Sequence, residues 1–434
     1  MKTRMYQFLS RLTHKSFFTI AHQTLLTLFP FALIGSGAQM VLKTMFSDDG
    51  FFANIFYFSD WMPDWLYRGC QAALFAISQV TISLFGLLVV YETAKYTARR
   101  YHRDAQMAGM TGIVTLLLIA FRYDRFSMAK AISNFNWSLL GGQSLLLAFG
   151  IGYGVGQLYR WLSAPRNYPA DHQLISANER SFIAIRPLIV AVALAVIISF
   201  LLNFGVINTW LRSSYESIVS VGENDNQLWL VILTKLLMAM VDWLGLGTAN
   251  TTGIMMSGVS FEENLNHALQ HGSAWNVPHP LLGGTLYNSF ANFGGHGALL
   301  ALLVAILITG RRRDYHRVAR WTLVPTLFNS SFAAMVGIPV LMNPLLFVPA
   351  VFLPTLNMLI AALAITIHLI PATPYPVLVG TPGPLISFIA SNGNWWVLVF
   401  TIALFVLDVW IYLPFVRILE KWPHETIEEV TPHA

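Results

Sequence analysis

Apolar residues fall in long blocks separated by short polar stretches, and inside most blocks no polar stripe at helical or strand spacing survives. Such blocks predict helices that cross a membrane. They cover residues 17–42, 70–91, 107–120, 139–158, 187–211, 228–246, 298–308, 345–370 and 395–416. Another crossing is expected between residues 248 and 280. There Asn250, Thr251, Thr252, Glu262, Glu263, Asn264, His267, His271 and Asn276 are too many polar groups to face lipid, so part of that stretch must line a cavity or stand in water. Two further stretches are too apolar for soluble loops and too broken for plain helices. In residues 321–344 the helical hydrogen bonds are interrupted by Pro325, Gly337, Pro339 and Pro344, and Asn329, Ser330, Ser331 and Asn343 add polar groups that hydrocarbon does not tolerate. The second break holds Pro371, Pro374, Pro376, Pro382 and Pro384. The pattern predicts an all-α polytopic membrane protein with about ten transmembrane helices and two re-entrant hairpins.

Charge sets the orientation. Lys2, Arg4, Arg11 and Lys15 precede the first block, and Lys95, Arg99, Arg100 and Arg103 follow the second, whereas the loop between them carries Asp48, Asp49, Asp60 and Asp64 against Arg68. Basic loops stay in the cytoplasm, so both termini are expected inside, as is the loop with Arg311, Arg312 and Arg313. Composition agrees: 55% of the 434 residues are hydrophobic and 11% charged, more apolar content than a soluble core hides. The net charge of +5 reflects this loop bias rather than a nucleic-acid partner. A single cysteine, Cys70, excludes an internal disulfide and any cysteine cluster for metal. The proline-punctuated basic loop from Arg160 to Arg186 reads as a seam. It divides the chain into N-terminal helices at 1–185, a second set of helices and hairpins at 186–416, and a cytoplasmic tail at 417–434.

Residues 328–344 also carry a resemblance. Phe328, Asn329, Gly337, Pro339, Asn343 and Pro344 are similar in register to the signature of the membrane-embedded IIC component of bacterial phosphotransferase-system sugar permeases. The branch is that of lactose, cellobiose and diacetylchitobiose, which reads Phe-Asn-x-Asn-Glu-Pro-x-x-x-Gly-x-Pro-x-x-x-Asn-Pro. The run from Tyr287 through Asn288, Asn292, Gly294, Gly295, His296 and Gly297 resembles the family's Phe-Asp-x-Phe-x-Asn-Ile-Gly-Gly-Ser-Gly. Shorter likenesses lie at Phe29-Pro30, at Gly141-Gly142, at Thr381-Pro382 and at Tyr412-Leu413-Pro414-Phe415. They follow the family order across nearly the whole chain. The resemblance implies a IIC-like protomer in a homodimer of the bacterial inner membrane, with residues 1–185 at the dimer interface. It further implies a disaccharide ligand such as cellobiose or diacetylchitobiose, enclosed by residues 186–416, and a phosphorylated IIB partner. A His and the hairpin Glu of the family sit near the hydroxyl that receives the phosphoryl group.

This chain departs from the family at those groups. Phe332 stands at the position of the Glu, Gly247 at that of the His, and Asn288 replaces an Asp. A phenyl ring neither takes a proton nor accepts an ordinary hydrogen bond. No catalytic residue is therefore expected, and no cofactor or metal. His296, among glycines, either substitutes for the missing imidazole or is a structural histidine at a helix start. His279 reads as an interfacial loop residue. His267 and His271 have the i, i+4 spacing of a metal pair without a matching carboxylate. Asp242, deep in the sixth block beside Trp243, suits a sugar, since its carboxylate accepts from hydroxyls while the ring lies on a pyranose face. Lys235 on the same helical face offers Asp242 a structural ion pair instead. Asp408 has no evident partner. The expected ligand-binding residues are Asp242, Trp243, Thr248, Asn250, Asn288, Asn292, His296, Asn329, Ser331, Phe332, Asn343 and Thr381.

Two functions fit these residues. One is a IIC-type sugar receptor that keeps recognition, has lost phosphoryl-transfer groups and signals to a cytoplasmic output module, by analogy with IIC-like regions joined to cyclic-di-GMP phosphodiesterases. The other is a working permease that presents its sugar to IIB and uses His296. An uncoupled facilitator is a third reading.

Overall fold

The computed structural model describes residues 16–122, 135–164, 177–204, 227–247 and 258–420. Its helices of six residues or more are α1 (Ser16–Met45), α2 (Phe51–Phe56), α3 (Asp64–Ser78), α4 (Phe85–Arg100), α5 (Ala105–Ala120), α6 (Leu145–Leu162), α7 (Ala177–Phe204) and α8 (Leu228–Trp243). They continue as α9 (Val259–His271), α10 (Leu299–Thr309), α11 (Arg313–Leu327), α12 (Phe332–Gly337), α13 (Pro344–Thr366), α14 (Gly383–Ala390) and α15 (Trp395–Glu420). Among the described residues six helical runs are long and apolar enough to cross a bilayer: Ser16–Met45, Asp64–Arg100, Ser181–Leu202, Gly283–Thr309, Pro344–Thr366 and Trp395–Glu420. Ala105–Ala120 is a shorter apolar helix.

Several boundaries differ from the sequence expectation, each for a local reason. The block at 70–91 contains a π-helical turn, Gln79–Ser83. α7 runs through Pro187 rather than starting there; a proline inside a membrane helix is tolerated where neighbours satisfy the freed backbone groups. α8 stops at Trp243 because Gly245 and Gly247 take left-handed backbone angles, φ +81° and +111°. In the polar stretch after it, the described helix α9 has 13 residues, and residues 248–257, where the expected crossing begins, lie outside the described residues.

The chain clusters into two units that interleave in sequence. The first comprises Met1–Leu28, Ile82–Arg212 and Pro423–Ala434, and the second Phe29–Thr81 and Ser213–Trp422. In the first unit α4, α5 and α6 approach closely through small residues. A Cβ on Gly152 would lie 2.8 Å from the Cβ of Thr93, and one on Gly156 would collide with Thr97. Helices in lipid gain mainly from such contact, since hydrocarbon offers apolar surface no better alternative inside the protein. Tyr159, fully buried, adds a polar tie through its hydroxyl to Thr111 Oγ1 at 2.8 Å.

The second unit holds both broken stretches. Between α11 and α12 the helix opens at residues 328–331, where Asn329 has φ +63°. Ser330 Oγ donates to the Ser36 carbonyl at 2.9 Å, and the Ala333 amide donates to Ser36 Oγ at 2.9 Å. The freed polar groups are thus met by α1, as burial demands. The second break, after α13, runs extended. It pairs with the start of α2, the Phe51 amide donating to the Val379 carbonyl at 2.9 Å and the Val379 amide to that of Asp49 at 2.8 Å.

Candidate functional site

The site grows from the ends of helices. α8 terminates at Asp242 and Trp243. A π-helical turn, Tyr287–Ala291, closes at Asn292. The backbone then enters a run of left-handed residues: Gly294, Gly295, Gly297 and Ala298, at φ +80°, +94°, +66° and +52°. This contour places His296 at the start of α10. Gly295 has no room for a side chain, because a Cβ there would overlap Ser331. His296, 9% exposed, turns its Nδ1 to Asp242 Oδ2 at 2.8 Å. The two groups lie within ion-pair distance, and the carboxylate restrains the ring's position.

Asp242, Trp243, Tyr287, His296, Met335 and Val340 line one small cleft. It has room for about one water molecule. The cleft is shaped by the hairpin as well: the Trp243 indole donates to the Asn343 carbonyl at 3.3 Å and meets the Phe347 ring edge-on at a centroid distance of 4.8 Å. Asn343 itself caps α13, its side chain accepting from the Leu345 amide at 3.0 Å and donating to the Pro339 carbonyl at 3.0 Å. The ammonium of Lys235 lies 5.1 Å from the centre of the Tyr287 ring, within cation–π range.

The expected binding residues therefore divide. Asp242, Trp243 and His296 meet in the cleft. Asn343 and Ser331 stand directly behind it as its supports. Asn329 and Thr381 hold each other, the amide donating to the Thr381 carbonyl at 2.8 Å. Asn288 lies half-buried in the π-helical turn, and Asn292 is buried with its side-chain oxygen lacking a hydrogen-bond partner. Phe332 is 3% exposed at the start of α12 and lies outside the cleft lining. Thr248 and Asn250 lie outside the described residues. Tyr287 was not singled out from sequence, although it borders the cleft; its place beside Asn288 in the glycine-rich run was the available signal.

The other histidines go elsewhere. His279 Nε2 is 2.7 Å from Glu263 Oε2. His267 and His271 stack at 4.1 Å, and among the described residues no group of three His, Cys, Asp or Glu side chains could hold a metal ion.

The family model for the phosphotransferase system, EIIC, matches residues 20–354. The chain belongs to this family. Among EIIC relatives it is 26% identical over 269 residues to the cellobiose-specific EIIC component of Lactococcus lactis subsp. lactis, a match covering 56% of this chain and 54% of that protein. It is 22% identical over 386 residues to the lactose-specific EIICB component of Staphylococcus haemolyticus, covering 85% of this chain and 64% of that protein. The matches thus span between half and two thirds of those two relatives' own length. A crystal structure of the transporter ChbC, the IIC component of the N,N'-diacetylchitobiose-specific phosphotransferase system, aligns over 95% of both chains at 23% identity and a TM-score of 0.41. The helical, membrane-spanning EIIC character read from the apolar blocks and the hairpin signature is what the family match and the helices show.

Proposed function

We propose that this EIIC-family chain is a membrane sugar receptor of the bacterial inner membrane. In this reading it binds a disaccharide of the cellobiose, lactose or diacetylchitobiose kind without phosphorylating it. Both termini lie in the cytoplasm, residues 1–185 form a homodimer interface, and an output module such as a cyclic-di-GMP phosphodiesterase receives the signal. The observation that carries the reading is Phe332. The hairpin position that holds a carboxylate in the family's pattern is here a phenyl ring buried to 3% exposure, so that position offers no proton acceptor to a reacting hydroxyl. Recognition groups remain. Asp242 accepts hydrogen bonds from sugar hydroxyls, Trp243 supplies an apolar face, and hydroxyls would also satisfy the free oxygens of Asn292 and Asn329.

The permease reading draws on one observation of its own, the Asp242 to His296 contact at 2.8 Å. A carboxylate-held imidazole can take a proton at Nε2 while the sugar oxygen attacks phosphorus and the phosphoryl group leaves IIB. The deciding experiment is calorimetric binding of free and 6-phosphorylated mono- and disaccharides, paired with uptake into vesicles supplied with phosphorylated IIB. Tight binding of a free sugar with no phosphorylating uptake is expected. Phosphorylating uptake by the unmodified chain overturns the receptor reading in favour of the permease.

A further inference from the structure

The loop that delivers His296 is held from behind by the last helix. Tyr412, on α15 and fully buried, donates its hydroxyl to the Gly297 carbonyl at 2.5 Å. Gly297 directly follows His296, and the next residue, Ala298, keeps a left-handed φ of +52°. That geometry is disfavoured for any residue with a Cβ and persists only where surrounding contacts impose it. Two contacts do so: the Leu300 amide donates to the Phe293 carbonyl at 3.1 Å across the loop, and Tyr412 anchors its middle.

The same helix is tied to the far end of α10. The Glu420 carboxylate accepts from the backbone amides of Arg311 and Arg312, the latter at 3.1 Å. The two ties follow the same chain direction, from Tyr412 to Glu420 on α15 and from Gly297 to Arg312 on either side of α10. Between the two ties the facing residues of α10 are apolar and buried, from Leu299 to Ile306. The last third of α15, from Tyr412 to Glu420, is thus tied to the chain at both ends of α10, and packed segments held in this way shift together between discrete arrangements rather than deform.

We propose that Tyr412 is a positioning residue for His296, and that α10 and α15 together carry the state of the cleft to the Glu420 end. The second half rests on the receptor reading; the first does not. No group on α15 touches the ligand in this scheme. Displacing His296 from Asp242 shifts Gly297, the Tyr412 hydroxyl follows, and the change is read at the Arg311 and Arg312 amides.

The test uses the full chain in detergent or nanodiscs, with cellobiose as probe. Labelling of His296 by diethyl pyrocarbonate, resolved by mass spectrometry, needs no sugar. Tyr412→Phe keeps the ring and its packing but loses the donor, and about fivefold faster labelling of His296 is expected, the factor for losing one hydrogen bond of ordinary strength. His279 should label as in the unmodified chain. Hydrogen exchange of the Arg311 and Arg312 amides should change on adding cellobiose, and should cease to respond in Tyr412→Phe. Glu420→Ala, which removes the acceptor, should blunt that response while leaving His296 labelling untouched. Unchanged His296 labelling in Tyr412→Phe overturns the positioning role. Cellobiose binding with no change at Arg311 and Arg312 overturns the coupling while leaving the receptor reading intact. If no sugar binds, the receptor reading and the coupling fall together, and the labelling alone decides the role of Tyr412.

Discussion

Asn329 donates from its side-chain amide to the Thr381 carbonyl at 2.8 Å, and that one bond joins the two broken stretches of the chain. Both residues are buried. α1 and the start of α2 meet other polar groups of these stretches, and the Asn329 amide meets the Thr381 carbonyl. Asn329→Gly keeps the left-handed backbone and removes the donor. It should cost about 1–3 kcal/mol, the range for stranding a buried carbonyl. Thermal unfolding in detergent checks this, and an unchanged transition would mean that water takes the donor's place.

Asp242→Asn, His296→Gln and Trp243→Ala should each weaken sugar binding about tenfold or more, equivalent to roughly 1.4 kcal/mol, and Trp243→Ala should also lower the unfolding temperature by losing the Phe347 and Asn343 contacts. Calorimetry alongside thermal unfolding separates the two effects. Wild-type affinity in all three would remove the cleft from recognition.

Gly295→Ala should destabilise the chain on two counts, the left-handed φ of +94° and the collision with Ser331. The collision can be relieved separately. Gly295→Ala with Ser331→Gly should recover part of the loss but not all of it, because the strain of a Cβ at φ +94°, ψ −150°, about 1–3 kcal/mol, stays. Full recovery would assign the whole effect to steric overlap.

Asn357 Nδ2 donates to Asp408 Oδ2 at 2.7 Å between α13 and α15, and both residues are fully buried. Asn357→Leu alone leaves the carboxyl group without that donor and should cost about 1–3 kcal/mol. The double substitution Asn357→Leu with Asp408→Leu should be far milder, since two apolar groups leave nothing unpaired. A double-mutant cycle by denaturant or thermal unfolding measures the difference; additive losses would mean that the pair is not coupled.

The sequence made the broken elements legible because polarity and proline at membrane depth are costly enough to need a local explanation. Asn329, Ser331 and Asn343 announced themselves that way. It also marked Asp242 and His296 singly, as a charge within an apolar block and an imidazole among glycines. It did not join them. Periodicity sees neighbours on one helix, which is why Lys235 suggested itself as the partner of Asp242, whereas His296 arrives from a different element along a left-handed backbone path. The same blindness left Asp408 without a partner until α13 brought up Asn357. Pro187 erred in the opposite direction, since a residue that ends helices in water is accommodated inside a packed one.

The narrowness of the cleft at Asp242 and His296 sets a kinetic expectation. On the receptor reading, a cleft with room for about one water has to widen before a disaccharide enters. Apparent affinity is then the intrinsic affinity scaled by the population of the widened form. If opening precedes entry, the observed binding rate levels off at high sugar concentration, at the rate of opening itself. Substitutions of the Asn343 side chain, which loosen the wall but leave the Trp243 ring in place, would then raise the ceiling and strengthen binding without adding a single contact to the ligand.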